Sequence, residues 1–137
     1  MRVEESKYIN LEHEEIYLPF GNFYFFEKFV VSELNEGVHF DWKRVKIVSD
    51  LMVTHYGKKR MDIVYISNRV NSYSIEPQSW LKFDKKYNLF IASGIVAYDN
   101  RGGLSIVLER IFSKEKIKRF RSLKDAVEWA LMLSEAK

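Results

Sequence analysis

Apolar residues follow two rhythms along this chain. In the opening third they alternate or cluster over short runs. Residues 14–18 read as a strand, and 22–34 carry Phe23, Phe25, Phe29 and Val31 with Tyr24, Phe26 and Val30 set between them. Pro19-Phe20-Gly21-Asn22 is a turn, and Glu27-Lys28 marks a bend within the longer run. An antiparallel hairpin or meander is therefore expected at the start. The pattern then changes period: Trp42, Val45, Val48 and Met52 recur every three or four residues and predict the inward stripe of a helix over 42–56, widened by Ile47 and Leu51. Asp41 suits its N-cap and Gly57 its C′ position, and Lys58-Lys59-Arg60 leads onward as a solvated connection.

The next stretch organises the rest. Ile63-Val64-Tyr65-Ile66 is the β-branched and aromatic run of a buried strand. It gives way at once to Ser67, Asn68, Arg69, Asn71, Ser72 and Ser74, and ends at Pro77, a residue suited to the first helical position. A helix is predicted over 77–86, with Trp80, Leu81 and Phe83 inward. Residues 89–97 follow as a strand buried on both faces, and 99–103 as a turn. A helix over 104–112 is carried by Leu104, Val107, Leu108 and Ile111, and 117–120 is a brief strand. Leu123, Ala126, Val127, Ala130, Leu131 and Ser134 form one face of a last helix, preceded by Ser122. Strands that alternate with helices should lie parallel, joined by right-handed crossovers, with the opening hairpin added as an antiparallel edge.

Composition narrows this only a little. At 137 residues the chain has the length of one domain, with residues 1–13 expected to be disordered and 14–137 to fold as a unit. The net charge of +3, from 22 Lys and Arg against 19 Asp and Glu, is too mild for a nucleic-acid partner. The absence of Cys excludes disulfides, thiolate catalysis and zinc ribbons. No apolar leader opens the sequence and no run approaches a membrane span, so a cytoplasmic protein is expected. His13, His39 and His55 are scattered without metal-ligand spacing, so no metal and no cofactor is expected.

Two loops can carry function. The first holds Arg69, Asn71, Ser72, Tyr73 and Ser74, between a central strand and a helix start, where open α/β sheets place their contacts. Arg69 can form a bidentate contact with an anionic group, and free N–H groups at the helix start can add to it. The second loop holds Asn100, Arg101, Gly102 and Gly103, and shares a rim with the first if the two strands are neighbours. The segment bearing Lys114, Lys116, Lys118, Arg119, Arg121 and Lys124 is basic and reads as a solvated edge strand. Tyr17, Phe23, Phe25, Phe29 and Trp42 are expected in the core.

The residues YISNRVNSYSIEPQSW, with FYFFEKFVVSELNEGVHFDW before them and RFRSLKDAVEWA at the close, resemble the SpoIIAA-like (STAS/SEC14-like) family of small bacterial single-domain proteins over 20–137. The resemblance implies an α/β, two-layer sandwich, with a mixed β-sheet, the N-terminal antiparallel hairpin and about four helices. STAS-type antagonists carry a phosphorylatable serine in an Asp-Ser-x-Gly context. The matching region here is Asn71-Ser72-Tyr73-Ser74, with no Asp before Ser72 and no Gly after it. Other relatives bind lipid or small apolar ligands. The expected function is a non-enzymatic regulatory or protein-interaction domain, acting on an unidentified protein partner through the loop after the central strand. The alternative is a module with a small apolar ligand held between the sheet and the helix over 42–56. The edge and basic segments also leave surface for a homodimer.

Overall fold

Strands β1 (His13–Leu18), β2 (Gly21–Phe26) and β3 (Phe29–Leu34) form the antiparallel meander that the alternating aromatics predict, with the bend at Glu27-Lys28 between β2 and β3. This computed structural model describes residues 1–57, 62–87, 90–98 and 117–135. After the short strand β4 (His39–Phe40) comes helix α1 (Trp42–Tyr56). The Asp41 carboxylate accepts the Arg44 N–H at 3.2 Å as its N-cap, and Gly57 ends it at a φ of 89°, which favours glycine. The chain continues through β5 (Ile63–Arg69), β6 (Ser74–Ile75), α2 (Pro77–Lys86), β7 (Phe90–Ala97), β8 (Ile117–Phe120) and α3 (Leu123–Glu135).

The main sheet has the order β1-β2-β3-β5-β7-β8. Its first two pairings are antiparallel and the remaining three parallel, as the change of period predicts. β4 and β6 pair separately as a parallel two-stranded ribbon. Because side chains alternate across a sheet, each central strand feeds two cores. On one face Phe23, Phe25, Val30, Leu34, Ile63 and Tyr65 pack with Val45, Val48 and Met52 of α1 and Phe83 of α2. On the other, Tyr24, Phe26, Phe29, Val31, Val64 and Ile66 pack with Leu123, Ala126, Val127 and Ala130 of α3. A two-layer sandwich is thus corrected to a sheet covered on both faces, because α3 returns to the side opposite α1 and α2. Among the described residues there are three α-helices against about four expected; the helix over 104–112 and the turn over 99–103 lie outside the described residues.

Several expectations change for local reasons. The segment 1–13, predicted as disordered, forms two 3-10 turns (Val3–Glu5 and Lys7–Asn10), with Val3 and Tyr8 buried in the α3-side core. Its apolar residues Val3, Tyr8 and Ile9 pack into the same core as Tyr24, Val31 and the inward face of α3. Tyr17 is 63% exposed, since β1 is an edge strand whose Ile16 and Leu18 take the inward positions. On α1, Ile47 is 41% exposed while Ser49 is buried, its hydroxyl donating to the Val45 carbonyl at 2.6 Å. Leu131 lies at the exposed margin of α3. Of the residues predicted inward on α2, Phe83 is buried; Trp80 and Leu81 have side chains outside the described set.

Candidate functional site

The parallel strands β3, β5 and β7 all end on one rim, the end at which open α/β sheets gather ligands. The loop from Arg69 to the start of α2 emerges there, and Pro77 stands at the first helical position as predicted. Glu76, at the N-cap, makes no side-chain bond to the helix N–H groups; its carboxylate instead accepts the Ser79 hydroxyl at 2.8 Å.

Hydrogen bonds to the chain just beyond β3 hold this loop in one conformation. The Asn71 carboxamide donates to the Leu34 carbonyl at 3.0 Å, the Ser72 N–H to the Glu36 carboxylate at 2.7 Å, and the Gly37 N–H to the Ser72 carbonyl at 2.8 Å. The Ser74 N–H donates to the Val38 carbonyl and the Glu76 N–H to the Phe40 carbonyl, closing the β4–β6 ribbon. Beside it, His39 Nδ1 and the Ser74 hydroxyl are 2.7 Å apart.

The five residues singled out from the sequence therefore divide. Tyr73 turns inward: its ring is buried among the α1-side core and its hydroxyl meets Ser67. Burial pushes the Tyr73 phenol up from its ordinary value, against the opposing pull of Arg69. Arg69 is half-buried, its guanidinium 4.1 Å from the centre of the Tyr73 ring, with Nη2 donating to the Tyr73 carbonyl at 2.9 Å. Its Nη1 is buried and makes no hydrogen bond among the described residues. Asn71 serves the loop's own backbone. Ser72 and Ser74 are exposed, and the Ser72 hydroxyl makes no hydrogen bond among the described residues. Asn100, Arg101, Gly102 and Gly103 lie outside the described residues, although β5 and β7 are neighbours, the condition for the two loops to share a rim.

The same rim carries a second polar group that sequence reasoning passed over. Glu33, in the mostly apolar strand β3, is 2% exposed, and its Oε2 accepts both the Val3 N–H and the Asn68 carboxamide at 2.8 Å. The Asn68 carboxamide also donates to the Met1 carbonyl at 2.8 Å. The Tyr98 hydroxyl stands 2.7 Å from Asn68 Oδ1 and 3.1 Å from the Met1 carbonyl. Burial pushes the Glu33 carboxyl above the usual carboxylate range, with the Val3 N–H, the Asn68 carboxamide and the Arg2 charge pulling the other way. The Tyr98 phenol is pushed up to about 12, chiefly by burial. A charged residue amid Phe-Val-Val-Ser and Leu was the available signal.

An apolar ligand was expected between the sheet and α1, and among the described residues one small cavity lies there. The cavity lined by Phe40, Val48, Met52, Tyr65, Phe83 and Phe90 holds about 10 Å³, room for about one water molecule and for no acyl chain. Among the described residues no helix is long and apolar enough to cross a membrane.

A crystal structure from Shewanella loihica PV-4, of an uncharacterized DUF3478-family protein with a SpoIIAA-like fold, is similar to this chain. The TM-score is 0.55 over 87% of this chain and 92% of that one, at 13% identity. The fold is SpoIIAA-like. At that identity the likeness carries the fold alone. No family model matches the chain, and no match is found among curated proteins.

Proposed function

We propose that the chain is a non-enzymatic regulatory domain that binds a protein partner through the loop 69–76 on the rim of its SpoIIAA-like sheet. One observation carries this reading. The loop is held in place by bonds from Asn71, Ser72 and Ser74 to the 34–38 segment, yet it leaves the Ser72 side chain exposed, its hydroxyl without a hydrogen bond among the described residues. A surface held in one shape spends little ordering entropy when it meets a partner. Catalysis has less to support it. His39 and Ser74 form a serine–histidine contact, but among the described residues no carboxylate hydrogen-bonds the second ring nitrogen.

Affinity capture with wild type and Ser72→Arg tests the proposal, because the substitution changes an exposed side chain and no internal contact. A partner retained by the wild type and lost by the variant is the expected result. Recovery of the same proteins at the same yield with both would remove the loop from the mechanism.

A further inference from the structure

The net charge of +3 conceals a separation of charge. Helices α1 and α2 carry six Lys and Arg against two Asp, and Lys58-Lys59-Arg60 follows α1 in the sequence. The rest of the chain holds more Asp and Glu than Lys and Arg. Both helices pack on the same face of the sheet: Val45, Val48 and Met52 turn one side of α1 inward, and Phe83 does the same for α2. Their opposite sides therefore point outward together. On α1 that side shows Lys43, Lys46, Ile47 and Asp50, and on α2 Lys82 and Lys86, one turn apart. All six are exposed, Ile47 to 41%.

The two stripes adjoin. Lys82 Nζ stands 5.6 Å from the centre of the Trp42 ring at the start of α1, and the Tyr87 hydroxyl, just past α2, donates to Asp50 at 2.7 Å. Asp50 also takes Lys46 at 2.9 Å, so this carboxylate is spent on contacts within the face. Among the described residues Lys43, Lys82 and Lys86 have no salt bridge. The face is cationic, with an apolar side chain one turn from Lys43 on the same stripe.

We propose that the outer face of α1 and α2 docks on a membrane surface rich in anionic lipid, its lysines meeting headgroups and Ile47 entering the boundary between headgroups and acyl chains. Charge selects an anionic occupant, and Ile47 selects among anions. Ammonium groups read charge and little shape, so the lysines alone suit any polyanion. A nucleic-acid backbone offers an exposed isoleucine no partner, whereas at a lipid boundary the same side chain leaves water. Lysine stems lie along such a boundary with their charges among the phosphates.

The test is co-sedimentation of the full chain with vesicles of phosphatidylcholine alone and of phosphatidylcholine mixed with phosphatidylserine. Binding is expected to the anionic vesicles only, and to weaken as salt rises. The triple variant Lys43→Gln, Lys82→Gln, Lys86→Gln should bind about a hundredfold more weakly, at about fivefold for each lysine. The chain has no Cys, so Ile47→Cys offers a single thiol for an environment-sensitive fluorophore. Its emission should shift to the blue on anionic vesicles and stay unshifted with a DNA duplex. No binding to anionic vesicles, equal binding to neutral ones, or wild-type binding by the triple variant would each overturn the proposal. So would a label that stays in water while the protein sediments, or tighter binding to the duplex than to the vesicles, which would make this a nucleic-acid surface. Should the triple variant lose its circular dichroism, the label on the otherwise wild-type chain decides: a blue shift supports the docking face, and its absence refutes it.

Discussion

Asn68→Ala tests the buried rim network most directly. Asn68 is fully buried, and its truncation removes two donated bonds, to Glu33 and to Met1, and the acceptor that faces Tyr98. A neutral hydrogen bond contributes about 1 kcal/mol net, and one to a carboxylate about 2 kcal/mol. The Met1 carbonyl and the Tyr98 hydroxyl lie near solvent and regain water, whereas Glu33 cannot, so a net loss of about 2–3 kcal/mol is expected. Urea unfolding should show a lower midpoint at an unchanged m-value. Asn68→Asp sharpens the experiment by setting a second carboxylate against Glu33. It should be worse than alanine at pH 7 and recover on acidification, as one proton comes to serve both groups. A loss below about 1 kcal/mol for alanine would mean that the network is not a cooperative unit and that water substitutes freely for the carboxamide.

Glu33→Gln keeps an acceptor for Val3 and removes the charge. Because burial raises the folded-state value above the ordinary 4.5, wild-type stability is fullest below that value and falls as pH rises through the raised folded one. The wild-type-minus-variant difference, from urea curves between pH 4 and 7, should therefore slope downward with pH; a flat difference refutes the assignment. Gly21→Ala should cost about 2 kcal/mol in thermal unfolding, because its Cβ would meet the Glu33 carbonyl and Leu34 Cα, both backbone, at 2.9 Å. Gly94→Ala should cost less, since the Trp129 and Phe120 rings at 3.2 and 3.3 Å can shift. Ser72→Ala should leave the unfolding free energy within about 0.5 kcal/mol of wild type by urea denaturation, as its side chain is exposed and makes no hydrogen bond among the described residues.

Much of this fold was legible in the periodicity. The step from alternating Phe and Tyr in 22–34 to the stripe Val45, Val48, Met52 marks where meander gives way to crossover, and Asp41, Gly57 and Pro77 mark helix ends through backbone chemistry that acts locally. What escaped was long-range. Residues 1–10 look like a polar tail because their order depends on packing Val3 and Tyr8 into the core that holds Tyr24 and Val31, which local composition cannot reveal. Tyr73 reads as a surface residue from its neighbours Ser72 and Ser74, yet on the β6 approach it faces the core and carries Arg69 on its ring. Glu33 was visible as an anomaly, but its partners lie 30 and 35 residues away in sequence.

The ribbon of β4 and β6 has a consequence for how this chain can vary. His39 pairs with Ser74 and Phe40 with Ile75, and each strand runs almost directly into a helix, with Asp41 capping α1 and Glu76 preceding Pro77. The two helices are thus yoked at their first turns. One residue added between Tyr73 and Ser74 would slide the register by a single step, turning Ile75 out to water and the serine inward. Length there is fixed by parity, and the turn that leads into β4 is tied to it as well, because Glu36 and Gly37 bond to Ser72.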